Sequence, residues 1–298
     1  MLDITVIILT YNEERHIGRC LERLEALGAA RVVVVDCGST DSTQDISRKG
    51  GAEVVTHQWP GNQAAQFNWA LDNLDITTQW VLRLDADEYL SPELTAEIQQ
   101  RLPELPDNIA GITMRRGRMF QGKRLRHGIA NIILMVRLFR FGKAHYEPRI
   151  MDEHLTVDGD TVVFDNLFFD DNITPLADFI AKHDNYAARE AAMMVADEYG
   201  IAGLSGDSAG AMADGVRAKR RNKGLYARMP RYWRALGYFI YRYIIRLGFL
   251  DGRAGFEWDF FQGLWYRMLV DAKIGEIHRA TAGDPARVRA YLAARYGV

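Results

Sequence analysis

Cysteine is scarce. Cys20 and Cys37 are the only two in 298 residues, which excludes a disulfide scaffold and a cysteine-rich zinc module. Long hydrophobic runs are missing as well: no uncharged apolar stretch reaches the ~18 residues that a membrane-crossing helix needs. Neither sign of charge dominates. With 37 Lys+Arg against 39 Asp+Glu the net charge is −2, which argues against a dedicated nucleic-acid binder. Apolar residues at 48% and charged residues at 26% are ordinary globular values, so a disordered chain, a collagen and a coiled-coil rod are excluded. There is no GxGxxG after the first apolar run and no GxxxxGK[ST], against a dinucleotide dehydrogenase or a P-loop NTPase. The opening MLDITVIILTYNEE has no basic n-region. It reads as the first strand of a cytoplasmic protein rather than as a signal peptide.

What is present is alternation. Ile4–Leu9 is a β-branched run suited to a strand buried on both faces. Residues 13–27 carry Ile17, Leu21, Leu24 and Leu27 at helical spacing, with Asn12 as an expected N-cap and Gly28 as the stop. Strands follow at 31–36, 53–56 and 80–84, with helices at 43–49 and 61–74 between them. Ser91-Pro92-Glu93 opens another helix, Ser as cap and Pro in the first turn. Such alternation with short links predicts a parallel sheet with right-handed crossovers. From 109 to 170, short apolar runs between basic and glycine-rich turns predict a mixed or antiparallel edge of the same sheet. Beyond Pro175 the pattern is helical, at 176–199, parts of 207–222, 231–247, 256–278 and 286–296. The expected domains are therefore 1–215, catalytic, and 216–298, a helical extension.

The extension is basic and aromatic. Residues 216–250 hold ten Lys/Arg and no Asp or Glu, and fourteen of the 32 aromatic residues fall between Tyr226 and Tyr266. On a helix over 231–247, Trp233, Leu236, Ile240, Tyr243, Ile244 and Leu247 form one stripe, with Arg231, Arg234, Arg242 and Arg246 opposite. Two readings stay open: an interfacial helix on an anionic membrane surface, or a helix packed on the catalytic domain or in a homo-oligomer with its arginines solvated.

Three strands place polar groups at one sheet edge. The fourth ends in Asp85-Ala-Asp87, and in open α/β sheets ligands gather at the carboxyl ends of strands. Two carboxylates so placed can share Mg2+ with a phosphate; a bare DxD is otherwise a solvated turn. The second strand ends in Asp36, before Gly38-Ser39-Thr40-Asp41, a turn that suits a ribose hydroxyl or a base N–H but that also caps the next helix. The first strand ends in Thr10-Tyr11-Asn12-Glu13. Between residues 115 and 127 lies a basic stretch, Arg115 to His127. It suits a diphosphate or a phosphorylated acceptor, or else a solvated hairpin. His183 and Tyr186, one turn apart, read as packing groups.

TVIILTYNEERHIGRCL, VVVVDCGSTDST and WVLRLDADE together resemble the N-terminal signatures of family 2 glycosyltransferases, which have the GT-A fold. GKRLRHG, RLFRFGKAHYEPRIMDEHL, KHDNYAAREA and RLGFLDGRAGF resemble a bacterial branch that builds lipopolysaccharide core and other surface glycans. The resemblance implies a Rossmann-like, mainly parallel α/β sheet with a mixed edge and a C-terminal helical extension. It implies a nucleotide-sugar donor site lined by Thr10, Asn12 and Glu13, with Asp36 on uracil or ribose and Gly38 and Ser39 beside it. Asp85 would face ribose or sugar, and Asp87 would hold Mg2+ or Mn2+. Arg126 and His127, within RLRHG, are the first choices for phosphate contact. The general base of such inverting enzymes is a carboxylate on a later segment, here Glu153. Asp152 stands where the branch often has His and is the second choice.

The function expected is inverting, metal-dependent transfer from a UDP-sugar to a hydroxyl of a lipid-linked or lipopolysaccharide-type glycan acceptor. No nucleic acid is involved, and the location is cytoplasmic, peripheral on the inner face of the cytoplasmic membrane. A sugar-nucleotide pyrophosphorylase would want a glycine-rich basic loop after the first strand, which Thr10–Arg15 does not supply. The non-enzyme alternative is a catalytically idle nucleotide-binding scaffold recruited to the membrane. A processive synthase would show QxxRW, which is missing.

Overall fold

The computed structural model describes residues 1–129, 132–147, 155–201 and 229–296. They fall into two compact units, Met1–Arg126 with Ala130–Ile173, and His127–Ile129 with Thr174–Val298. The units divide in the chain at 173/174, whereas the sequence-drawn boundary at 215/216 lies outside the described residues, as does the expected helix at 207–222.

In the first unit, β1 (Leu2–Thr10), α1 (Ile17–Glu25), β2 (Ala29–Asp36), α2 (Thr43–Lys49), β3 (Glu53–Thr56), α3 (Gln63–Asn73) and β4 (Trp80–Asp85) alternate as expected. There follow β5 (Glu88–Leu90), α4 (Pro92–Arg101), β6 (Ile109–Phe120), β7 (Lys123–Leu125), β8 (Ile132–Arg140), β9 (Ala144–Tyr146), β10 (Leu155–Val157) and β11 (Asp160–Asp170). The sheet runs β3-β2-β1-β4-β8-β6-β11-β5, with β7 on β6 and a separate β9–β10 ladder. Pairing is parallel from β3 to β4. It turns antiparallel at β4–β8 and β8–β6, parallel at β6–β11 and antiparallel at β11–β5. This is the α/β class with a mainly parallel half and a mixed edge.

Alternation along β1 sorts its side chains between two cores. Ile4, Val6 and Ile8 pack with Ile17, Leu21 and Leu24 of α1 and Leu94 and Ile98 of α4. Ile7 and Leu9 pack with Phe67, Ala70 and Leu71 of α3 on the other face. Each fully buried side chain of this size contributes about 1.5–3 kcal/mol, so the strand is fixed from both sides. Ser91 caps α4 as expected, its hydroxyl accepting from Leu94 N at 3.1 Å.

One local expectation fails. Asn12 does not cap α1, which begins at Ile17 after an N-cap position held by His16 without a side-chain bond. Asn12 instead takes a left-handed conformation, φ 55°, which asparagine tolerates better than most residues. Its side chain turns to the next loop.

The second unit is helical: α5 (Leu176–Glu198), α6 (Trp233–Ile240), α7 (Gly252–Asp259), α8 (Tyr266–Thr281) and α9 (Pro285–Tyr296). A π-turn over 241–245 and a 3₁₀ turn over 248–251 join α6 to α7, and a second π-turn over 260–265 joins α7 to α8. Ala187, Ala191 and Val195 of α5 form one core with Val270, Ile274 and Ile277 of α8 and Val288 and Leu292 of α9. The expected polarity of 231–247 is inverted at two of its four arginines. Arg234 and Arg242 are buried, while Trp233, Ile240, Ile244 and Leu247 are exposed. The reason is pairing: Arg234 Nε donates to Asp271 at 2.8 Å and Arg242 Nε to Asp259 at 2.8 Å. Charges are tolerated in a core when paired in this way.

Candidate active site

The polar ends of three strands meet as the sequence pattern implies. Thr10 stands opposite Asp36 in the β1–β2 register, and Leu9 stands opposite Asp85 in β1–β4. Asp36 is fully buried. Its Oδ1 accepts from Gly38 N at 3.0 Å, Ser39 N at 2.8 Å and Gln44 Nε2 at 2.7 Å. Its Oδ2 accepts from Thr10 Oγ1 at 2.9 Å and Ser39 Oγ at 2.5 Å. Burial pushes this carboxyl up, but the bonds from Ser39, Gln44 and Thr10 outweigh it and hold it below the ordinary aspartate value. Asp36 thus organises the turn after β2, with both oxygens engaged inside the protein.

The loops after β1 and β2 are laced together. Asn12 Oδ1 accepts from Thr40 N at 2.8 Å, and Asn12 N donates to Ser39 Oγ at 2.8 Å. Glu13 N donates to Thr43 Oγ1 at 2.7 Å. The Glu13 carboxylate meets His16 Nδ1 at 2.6 Å, and His16 Nε2 accepts from Ile173 N at 3.1 Å. That acceptor role leaves the ring proton of a neutral His16 on Nδ1, facing Glu13.

The two aspartates of the β4–β5 turn have opposite surroundings. Asp85 Oδ2 lies 3.1 Å from Arg137 Nη2 and Oδ1 3.4 Å from Arg83 Nη2. Burial pushes its carboxyl up, but Arg137 and then Arg83 drive it well below the usual carboxylate range. Asp87 has no ion pair among the described residues. It accepts from Asn172 Nδ2 at 3.1 Å, and its carbonyl accepts from Asp171 N at 2.9 Å. Burial first, then the charges of Asp170, Asp85 and Glu13, push its carboxyl up to about 6.

That donor set fits a hard divalent ion: an aspartate held near other carboxylates and short of cations is relieved by one. Among the described residues no group of three or more His, Cys, Asp or Glu could cage a metal. An ion here would therefore take one or two protein oxygens, with the rest from water and ligand phosphate, the mode that suits Mg2+.

Several members of the site were not singled out from sequence. Glu88 is buried beneath the turn, with Arg137 Nη2 donating to its Oε1 at 2.6 Å and Asp85 N to its Oε2 at 3.0 Å. Burial raises its carboxyl despite Arg137. Asp170 receives Arg118 at 2.9 Å and Arg116 at 3.6 Å, so part of the basic stretch does reach the acidic edge. A signal for Arg137 exists: an arginine in the middle of the apolar run IILMVRLF requires a buried acid.

His127 belongs to the second unit, where its N and Nδ1 each lie 2.9 Å from the Asp251 carboxylate. Arg126 ends the first stretch of the first unit. His183 stacks on Phe179 with ring centroids 3.9 Å apart and accepts from Gln262 Nε2 at 2.7 Å, a packing role as expected. Glu153 and Asp152 lie outside the described residues.

Comparison with known proteins places the chain in a family. Residues 5–164 match the family model described as Glycosyl transferase family 2. The lipopolysaccharide core biosynthesis glycosyltransferase LpsC of Rhizobium meliloti is 31% identical over 154 residues, 49% of this chain and 54% of that protein. An uncharacterized glycosyltransferase of Rickettsia conorii is 40% identical over 96 residues, 32% of this chain and 33% of that one. The match thus spans about a third of the rickettsial relative and about half of LpsC. A solved mannosyl-3-phosphoglycerate synthase from Rubrobacter xylanophilus is 21% identical with a TM-score of 0.34, covering 39% of this chain and 41% of that one. Glucosyl-3-phosphoglycerate synthase from Mycobacterium tuberculosis, solved with Mn2+ and UDP-glucose, is 20% identical with a TM-score of 0.33, covering 38% and 43%. With the model spanning more than half of its length, the chain belongs to glycosyl transferase family 2.

Proposed function

We propose that this protein is an inverting glycosyltransferase that moves a sugar from a UDP-sugar to a hydroxyl of a lipid-linked or lipopolysaccharide-type glycan. The observation that carries the reading is the contrast between Asp85 and Asp87. Asp85 is a fixed anion clamped by Arg137 and Arg83, suited to orienting ribose or sugar hydroxyls. Asp87 is an aspartate pushed up by burial and then by its acidic neighbours, suited to holding Mg2+ or Mn2+. A divalent ion bound there supplies positive charge to the departing diphosphate. LpsC, by its name a lipopolysaccharide core enzyme, supports the acceptor class.

The chain's own residues supply the rest. Asp36, through Gly38 and Ser39, sets the turn on which the nucleoside lies, and Thr10, Asn12 and Glu13 brace it from the neighbouring loop. Glu153, with Asp152 as second choice, takes the proton from the acceptor hydroxyl as that oxygen attacks the anomeric carbon; a sugar hydroxyl is too weak a nucleophile without such a base. Attack from the face opposite the leaving diphosphate inverts the centre. With a lipid-linked acceptor the protein works peripherally at the inner face of the cytoplasmic membrane, through residues 216–250.

The test is a thermal-shift panel of nucleotide sugars, with and without Mn2+ or Mg2+, on wild type and Asp87→Ala. Ligands that bind the native state raise its apparent stability. A metal-dependent shift with one UDP-sugar, lost in Asp87→Ala, is the expected result. A folded protein that shifts with no nucleotide overturns the proposal.

A further inference from the structure

Asp171, Asn172 and Ile173 follow Asp170, the last residue of β11, and each is tied to a different part of the first unit. Asp171 N donates to the Asp87 carbonyl at 2.9 Å. That bond lies just beyond the β11–β5 ladder, where Asp170 stands opposite Glu88. The Asp171 side chain is buried and accepts from Arg19 Nη1 of α1 at 2.7 Å, while Arg19 Nη2 donates to the Asp171 carbonyl. Ile173 N donates to His16 Nε2 at 3.1 Å, and the other nitrogen of that ring faces Glu13 at 2.6 Å. Between these two anchors Asn172 reaches the β4–β5 turn, its Nδ2 donating to Asp87 Oδ2 at 3.1 Å.

Residues 171–173 therefore form a strap that is pinned at both ends. The Arg19 guanidinium, besides holding Asp171, lies over the Tyr89 ring of β5 at 5.1 Å from its centroid, so α1, β5 and the strap share one contact. Asp87 is gripped at two points, its carbonyl by the strap backbone and its carboxylate by Asn172. The other carboxylate oxygen, Oδ1, has no hydrogen bond among the described residues. The grip thus orients the group and keeps one oxygen on offer.

The chemistry of the anchor decides what the carboxylate can do. Asp85, on the same turn, is held by Arg137 and Arg83. A guanidinium fixes a carboxylate but also offsets its charge and repels a second cation. An amide donates a hydrogen bond and brings no charge. The charge of Asp87 is left for a metal, with acidic Asp170 and Glu13 near it. Carboxylates that ligate metals are themselves held by hydrogen bonds from their neighbours, and loss of such a neighbour weakens the metal. We propose that Asn172 is a positioning residue: from a strap pinned by Arg19 and His16 it fixes the Asp87 carboxylate, and as a neutral donor it leaves Asp87, rather than Asp85, to hold the divalent ion. The inference rests on the reading of Asp87 as the residue that holds Mg2+ or Mn2+, and adds the residue that makes it fit to do so.

The experiment is a Mn2+ titration of the full chain in the presence of UDP, read by the EPR signal of free Mn2+, with thermal melts of the metal-free proteins in parallel. Wild type, Asp87→Ala, Asn172→Ala and Asn172→Lys are compared. Wild type is expected to bind Mn2+ and Asp87→Ala to lose it. Asn172→Ala should bind Mn2+ about 10–100-fold more weakly, while its metal-free form melts within a few degrees of wild type. Asn172→Lys, which can still donate to Asp87 but brings a cation, should melt like wild type and bind Mn2+ no better than Asn172→Ala. Wild-type affinity in Asn172→Ala, with binding lost in Asp87→Ala, overturns the inference and leaves the donor-site reading standing. A weak site in an Asn172→Ala protein that also melts far below wild type overturns it too, because the strap would then serve the fold and not the ion. Wild-type affinity in Asn172→Lys removes the requirement for a neutral donor. Absence of Mn2+ binding by wild type, or binding that Asp87→Ala leaves unchanged, sinks the reading of Asp87 itself and takes the inference with it.

Discussion

Arg137 Nη2 stands 3.1 Å from Asp85 Oδ2 and the same nitrogen 2.6 Å from Glu88 Oε1, so one buried guanidinium is shared between the first aspartate of the DxD turn and the glutamate beneath it. Removing one partner of such a group leaves buried charge uncompensated, at a cost of about 3–5 kcal/mol. Arg137→Met is therefore expected to lower unfolding free energy by that amount in urea. Arg137→Met with Glu88→Gln should recover part of it, because the amide no longer carries the second charge. If Arg137→Met melts like wild type, the cluster is not the electrostatic unit described here.

Glu97 offers a test of pH dependence away from the site. Between Val163 and Leu167 the β11–β6 register slips, leaving residues 164–166 opposite Met114 alone. Glu97 of α4 accepts the N–H groups freed by the slip, Asp165 N at 3.0 Å and Asn166 N at 3.0 Å, and pairs with Arg101 at 2.5 Å. Burial raises its carboxyl, but these bonds outweigh it and the folded value lies below the ordinary 4.5. A carboxyl depressed on folding adds stability that is complete above its unfolded pKa and is lost as pH falls through the folded one. Glu97→Gln should thus be less stable by about 1–3 kcal/mol near neutral pH. The gap should hold constant from about pH 8 to 6 and shrink only below the ordinary glutamate value. A gap that narrows already between neutral pH and about pH 6 contradicts the assignment.

The parallel half of the sheet was legible in the sequence because each strand is a short β-branched run and each helix has a cap or a stop at its end. Glu53–Thr56 and Thr43–Lys49 fall where the residues place them. The mixed edge was legible only as a class: β5, β7, β9 and β10 are three residues each, too short for a period to show. Asn12 misled because an asparagine before a helical pattern reads as a cap, while its tertiary partner was Thr40 on another loop. The arginines of 231–247 misled for a similar reason. Amphipathicity assumes that charge faces water, and the acids that overturn this, Asp259 and Asp271, lie 17 and 37 residues on.

Asp36 should prove intolerant of its own amide. Five donors converge on its two oxygens, from Gly38, Ser39, Gln44 and Thr10. In Asp36→Asn the new NH2 group points at donors, which costs about 1–3 kcal/mol for each group left unsatisfied. The turn carrying Gly38 and Ser39 should loosen, and any nucleotide-dependent thermal shift should fall with it. Gln44→Ala removes one donor of the five and is expected to retain most of that shift. Equal nucleotide shifts in Asp36→Asn and wild type would show that the turn is not held by this carboxylate.

Two glycines of the second unit should respond in opposite directions. Gly255, in α7, has the Gly248 carbonyl and, at 2.7 Å, the Asp251 Cβ where its own Cβ would stand. Both obstacles are backbone or are held by it, so neither can move aside cheaply. Gly255→Ala is expected to destabilise by about 1–3 kcal/mol or more, as overpacking of a tight site does. Gly237, in α6, has nothing within 4 Å of its Cβ position. There, alanine only removes backbone freedom from the unfolded chain, and Gly237→Ala should stabilise by about 0.4–1 kcal/mol. Thermal melts of the two variants beside wild type decide the matter: a Gly255→Ala protein as stable as wild type would mean that the α7 helix does not press on the 3₁₀ turn.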